Sequence, residues 1–423
     1  MNPEAAAIAE RLDQVRRRTL ALIEPLAPAE LERQADPIMS PPLWDLGHIA
    51  AYEELWLVVR LGLGESLHPD LQAVYDAFET PRARRAEVRL LDEAAARRYL
   101  EEVRARALEG LARAALSPGA GPLVADGFVY EMVAEHEAQH SETVLQALKL
   151  LPPGAYVPPR ARPLPANGAG DGGRVELPGG EVEVGAGPAG FAYDCERPRH
   201  RLRLAPFALA RDPVTNGEHL EFIRDGGYRR PELWTEAGWA WREREGVRAP
   251  LHWQRDGEGG WVIRSFDRIE PLDPEGILCH VSAHEADAHA RWAGARLPTE
   301  AEWEAAARDH GPADEGANLD QLAFGPARRG SLPPGPSGLR HLLGDVWEWT
   351  ATEFDAYPGF RAFPYREYAE PFFGRGYRVL RGGSWATQPV AVRPTFRNWD
   401  LPERRQIFAG LRLAWDLEAG GAP

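Results

Sequence analysis

Cysteine is close to absent from this chain: Cys195 and Cys279 are the only two in 423 residues. Two thiols build no disulfide framework, and neither has the spacing of a zinc or redox motif. Both are expected to be small buried side chains in a reducing compartment. Long apolar runs are also missing. None approaches the roughly 20 residues that cross a bilayer, and Met1-Asn2-Pro3-Glu4-Ala5 lacks the basic and apolar regions of a signal peptide, so a cytoplasmic protein is expected. Positive charge is in deficit. With 49 Lys and Arg against 64 Asp and Glu, a net charge of −15, the bulk field disfavours nucleic acid and anionic membrane as partners.

What is present suggests more than one domain. The length favours two or three, and a hydrophobic content of 44% is globular. Residues 1–151 read as helical: Glu4 to Ile23, Pro41 to Leu61, Asp92 to Leu116 and Phe128 to Leu151 carry helical periodicity with few breakers, the number a four-helix bundle needs. Residues 152–174 turn abruptly to Pro, Gly, Ala and Arg and read as a semi-rigid linker. From 175 to 423 the texture changes again. Val175 to Leu177, Glu181 to Val184 and His200 to Leu204 alternate as strands do, and two short helices are expected, Asn216 to Arg224 and His284 to Ala293. Long loops, including 234–261 and 309–339, are expected to fill the rest. Twelve of the 14 tryptophans follow residue 230 and would pin those loops. The fold class is therefore α+β, a helical bundle followed by a loop-rich mixed domain.

The helix over 128–151 carries the chemistry. Its apolar stripe runs through Val129, Met132 and Val133, continues as His136 and His140, and resumes at Val144 and Leu148. Two imidazoles one turn apart on a core-facing stripe invite a metal, although such a pair is more often structural. Gln139 and Glu137 stand beside them as substrate or supporting groups. His48 occupies a matching stripe with Trp44, Gly47, Ala51, Tyr52 and Leu55 on the second helix. Two facing helices would bring three neutral imidazoles to one face of an ion and leave positions for substrate and oxygen. In the loop from Asp76 to Arg85, the arginines are either a solvated basic turn or a clamp for a carboxylate.

Five segments of the second half, Thr215-Asn216-Gly217, Arg296 to Glu304, Gly344 to Thr350, Arg381 to Trp385 and Gly410 to Leu413, are together similar to the formylglycine-generating-enzyme (sulfatase-modifying-factor) fold, a C-type-lectin-like domain. Through His48 and His136-x-x-x-His140 the first half resembles a DinB-like four-helix bundle. The combination resembles the ergothioneine-pathway hercynine sulfoxide synthases, non-haem iron enzymes, including the related selenoneine synthase branch. That resemblance implies Fe(II) on His48, His136 and His140, with O2 as co-substrate. It implies Gln139 against the substrate imidazole, and Arg82, Arg85 and Arg404 on the carboxylates of a γ-glutamylcysteine or cysteine donor. Asn398, Trp399 and Asp400 would line the betaine of hercynine, and Tyr365 would be the catalytic phenol, with Tyr357 and Tyr368 as close competitors.

The implied activity is O2-dependent joining of a thiol to C2 of the hercynine imidazole with sulfoxide formation. The bundle would supply the metal, the lectin-like domain the substrate wall. The first alternative is a selenoneine synthase joining the selenium of a selenosugar to hercynine by the same iron chemistry. More distant alternatives are a DinB-like metal-dependent thiol transferase and a non-catalytic lectin-like binding module.

Overall fold

In a computed structural model of the chain, residues 2–159, 164, 172–310 and 316–417 are described. Of the segment expected as a linker, 152–174, residues 160–163 and 165–171 lie outside them. The chain divides into two compact units, Met1–Pro159 with Phe266–Arg268, and Arg160–Ser265 with Ile269–Pro423.

Four long helices build the first unit: α1 Pro3–Ile23, α2 Pro42–Glu54, α3 Glu93–Arg113 and α4 Phe128–Leu150. Their starts follow from local chemistry. Asn2 accepts the Ala5 amide on α1, and Asp92 accepts that of Ala95 on α3, satisfying amides that have no partner in the helix. Helix α4 is entered through Gly127 at φ 71°, where a side chain would be strained and would also meet Ile8. Helix α1 packs on α4, and α2 on both α3 and α4. The segment expected to be helical to Leu61 departs from α geometry after Glu54, where Leu55–Val59 forms a π-helical turn.

The second unit contains more regular structure than the sequence reading allowed. The segment expected as loop over 234–261 holds a helix, Glu236–Glu245, capped by Thr235, and a strand, Trp253–Arg255. A further helix, Glu300–Ala307, begins in a capping box of Thr299 and Glu302. Helices over Asn216–Arg224 and Ala283–Trp292 match the two expected. The first three expected strands form as β1 Arg174–Leu177, β2 Gly180–Val184 and β3 His200–Leu204, followed by β4 Phe207–Ala210. Trp253–Arg255 is β5, Trp261–Ser265 β6 and Arg268–Pro271 β7; the remaining strands are β8 Trp347–Glu353, β9 Arg378–Arg381, β10 Asn398–Asp400, β11 Ala409–Gly410 and β12 Ala414–Asp416. The largest sheet has the order β10-β9-β8-β11, antiparallel except where β11 runs parallel to β8.

The signature segments of this half hold the fold. Glu348 on β8 is fully buried, accepting from both Arg412, at 2.6 Å, and the Trp303 indole, at 2.8 Å. A Cβ at Gly382 would lie 2.5 Å from the Leu342 carbonyl, and one at Gly410 2.3 Å from that of Leu278. Backbone passes too closely there for any side chain. Both cysteines are buried, as expected.

Candidate metal centre

His48, His136 and His140 come together: one ligand nitrogen from each lies within 4.8 Å of the others. Helix α2 supplies His48, and α4 supplies the other two one turn apart. His48 is buried and its partners half-buried, so the three border accessible space while most of α4 faces protein. That corrects the simple picture of one buried stripe. Glu137, expected beside the site, is fully buried instead and bonds to Arg16 and Arg104.

Surrounding groups fix each ring. Nδ1 of His48 donates to the Tyr75 carbonyl at 2.6 Å, and Nδ1 of His140 donates to Asp45 at 3.0 Å, leaving Nε2 of both rings as the lone-pair donor. Tyr75 reaches His48 because Gly47 has no side chain; a Cβ there would lie 2.2 Å from the phenol ring. The Trp44 indole stacks on His48, and the Tyr52 ring lies parallel to His136 with 3.6 Å between centroids.

The donor set fits a divalent transition ion. Nε2 of His48 is 3.1 Å from Nε2 of His136, and two nitrogens each about 2.1 Å from one ion at a right angle would stand about 3.0 Å apart. Burial foremost, with neighbouring positive charge adding to it, holds His48 and His136 well below the usual imidazole range. They are therefore neutral at physiological pH, as ligation requires.

The remaining candidates fall into two groups. Gln139 lies on α4, half-buried, three residues after His136, hence on a neighbouring part of the helix surface. Arg82 is exposed, its guanidinium donating to the Ile38 carbonyl at 3.3 Å. Arg85 is buried, bonds to Ser40 and the Thr80 carbonyl, and lies 3.4 Å over the Trp44 ring. No carboxylate hydrogen-bonds to it among the described residues, and burial lowers its pKa to about 10.

Asn398, Trp399, Asp400, Arg404 and Tyr365 belong to the second unit. Asn398, Trp399 and Asp400 form β10. Trp399 stacks on Phe354 at 4.1 Å, so one indole face is occupied. Arg404 Nε is 3.7 Å from Asp400. Tyr365 is half-buried and near Tyr368, which in turn stacks on Tyr193 and meets Trp399 edge-on. Tyr357 is buried in an ionic cluster, accepting from Arg381 and donating to Glu300.

Asp45, Tyr52 and Tyr75 were not singled out as site residues. Asp45 and Tyr52 sit three residues before and four after His48, so helical spacing carried a signal for both. Tyr75 reaches the site from a separate segment and left none.

Residues 165–417 match the sulfatase-modifying factor enzyme 1-like domain family, and residues 11–144 the DinB superfamily. The chain is 44% identical to the hercynine oxygenase of Mycobacterium tuberculosis, covering 98% of this chain and all of that one. It is likewise 44% identical to the hercynine oxygenase of Mycolicibacterium thermoresistibile, covering 98% and 96%. The formylglycine-generating enzyme of Streptomyces coelicolor is 34% identical over 62% of this chain and 95% of its own. Matched end to end by relatives of the same two-part organisation, the chain belongs to the hercynine oxygenase family of the ergothioneine pathway, a DinB-like bundle followed by a sulfatase-modifying-factor-like domain.

Proposed function

We propose that this protein is a non-haem iron enzyme that uses O2 to join a thiol, γ-glutamylcysteine or cysteine, to C2 of the hercynine imidazole as a sulfoxide. The observation that carries the reading is the convergence of three imidazoles, with two facing nitrogens 3.1 Å apart. The overall reaction balances: hercynine plus thiol plus O2 gives the coupled sulfoxide plus water, losing one hydrogen from C2 and one from sulfur. His48, His136 and His140 would hold ferrous iron, which would supply the redox chemistry that no side chain can and would favour the thiolate form of the donor.

The chain's own residues orient and hold. Tyr75 and Asp45 fix two of the rings in the tautomer that offers Nε2. Gln139, with both a donor and an acceptor, suits the two nitrogens of a substrate imidazole. Arg82, Arg85 and Arg404 each suit a carboxylate of the thiol donor through forked bonds. The trimethylammonium group cannot donate hydrogen bonds, so Asp400 would meet its charge and the Trp399 indole its methyls. Tyr365 would deliver a proton or hydrogen atom during oxygen use, steering it toward coupling and away from simple thiol oxidation.

Anaerobic reconstitution with ferrous salts tests the metal half. Wild type should retain one iron per chain and His140→Ala almost none; equal retention by both would remove the three-histidine centre.

A further inference from the structure

The helices that carry the histidines also hold a second constellation, which the metal site does not use. Each long helix gives one residue: Arg16 from α1, Glu53 from α2, Arg104 from α3 and Glu137 from α4, all buried. Arg16 bonds to Glu137 at 2.7 Å and 3.2 Å and to Glu53 at 2.7 Å. Arg104 bonds to Glu53 at 2.6 Å and 3.0 Å and to Glu137 at 3.3 Å. The remaining guanidinium nitrogens donate to backbone, Arg16 to Leu100 O on α3 and Arg104 to Leu12 O on α1. Two positive and two negative charges therefore cancel inside the bundle, with every helix tied to the others.

We propose that Arg16, Glu53, Arg104 and Glu137 form a positioning device that sets the rotation and height of α2 against α4, and thereby the convergence of His48, His136 and His140. The inference rests on the metal reading above. Glu137 directly follows His136 and lies one turn before His140, while Glu53 lies five residues after His48, so the same two helices carry both constellations. Apolar packing is non-directional and tolerates small slips, whereas forked guanidinium–carboxylate bonds fix direction and distance. Any slip of α4 past α2 that would part the imidazoles also leaves buried charges unpaired, which is strongly unfavourable. Among the described residues the four side chains hydrogen-bond to one another and to backbone carbonyls but to no histidine, so their effect on the site runs through the helices.

The test separates positioning from plain stability. Arg104→Met with Glu137→Met removes one charge of each sign and keeps the Arg16–Glu53 pair. Exchanging buried ion pairs for apolar side chains is often neutral for stability, so the metal-free variant should keep its helical circular dichroism and thermal midpoint. Its Co(II) dissociation constant should rise about tenfold to a hundredfold, with an altered Co(II) ligand-field spectrum. A folded variant with wild-type affinity and spectrum overturns the proposal. If the double variant does not fold, Arg104→Lys decides: it keeps the charge and loses the fork, so it should still weaken Co(II) binding, and unchanged binding overturns the proposal. Exchange of the exposed pair Glu10→Met and Arg17→Met should leave both readouts unchanged, and an equal loss there also overturns it. Failure of wild type to take up Co(II) would instead overturn the metal reading itself.

Discussion

The Trp44 indole lies nearly parallel to the His48 imidazole, 4.7 Å between centroids and 15° between planes, and the same indole carries the Arg85 guanidinium at 3.4 Å. A residue expected to bind substrate is thus coupled through one aromatic ring to a residue expected to bind metal. Arg82, on the same short segment, is exposed and has no such link. The two arginines should therefore behave differently. Arg82→Ala should raise KM for the thiol donor about tenfold, matching the loss of one charged hydrogen bond of roughly 1.5 kcal/mol, with KM for hercynine and iron content unchanged. Arg85→Ala should raise the same KM and also reduce iron content. A selenosugar lacks the carboxylates, so an Arg82→Ala enzyme unimpaired with a selenosugar and fully active with it would point to the selenium branch.

Gly47 is the point at which a single methyl group should disturb the centre. A Cβ there would lie 2.2 Å from the Tyr75 ring, so Gly47→Ala must push Tyr75 away and with it the carbonyl that holds His48. Supporting bonds of this kind affect metal affinity by about tenfold to a hundredfold. Titration of the metal-free protein with Co(II) measures it, and wild-type affinity in Gly47→Ala would show that Tyr75 does not orient His48.

In the second unit a buried chain links His289, His219, Tyr228 and Glu285. Tyr228 donates to Glu285 at 2.6 Å, His219 Nε2 meets the Tyr228 hydroxyl at 3.1 Å, and the two Nδ1 atoms stand 3.2 Å apart. Burial pushes His289 down to about 4, and burial with the neighbouring His289 lowers His219 well below the usual range. As pH falls from about 6.5 toward 4 the unfolded chain takes up protons on these imidazoles while the native chain does not, so stability present above pH 6.5 is lost on acidification. The shift on His289 corresponds to something on the order of 3 kcal/mol. Urea unfolding followed by tryptophan fluorescence reports mainly this half, and its midpoint should fall over that range, less steeply in His289→Gln. A midpoint independent of pH would contradict the assignment.

Tyr365→Phe tests the phenol. With γ-glutamylcysteine and hercynine, the ratio of thiol sulfinate to coupled sulfoxide should rise at least tenfold, read by mass spectrometry. An unchanged ratio would take the role from Tyr365, and Tyr368, half-buried and stacked on Tyr193, would be the next residue to substitute.

The histidines were legible because a helical period places them on one stripe of each helix and no other residue type offers the same ligand there. Glu137 was misread by the same period: lying between His136 and His140, it faces Arg16 and Arg104 because its charge finds partners only inside the bundle. Asp45 and Tyr52 were within reach of helical spacing, but an acidic residue in a first turn and an aromatic on a core stripe both have ordinary explanations. The Tyr75 carbonyl was beyond reach, since its approach depends on a long-range contact licensed by Gly47. In the second half, the helix over Glu236–Glu245 was hidden by Gly238 and by the lack of an amphipathic pattern.

The most direct measurement is mass spectrometry of a single-turnover mixture: ferrous-loaded protein, hercynine and γ-glutamylcysteine, mixed anaerobically and then exposed to 18O2. The account predicts a product with the combined mass of both substrates less two hydrogens plus one labelled oxygen, formed by wild type and absent from His136→Ala. Formation of the coupled product at full yield without O2, or by the variant without its histidine, would contradict it.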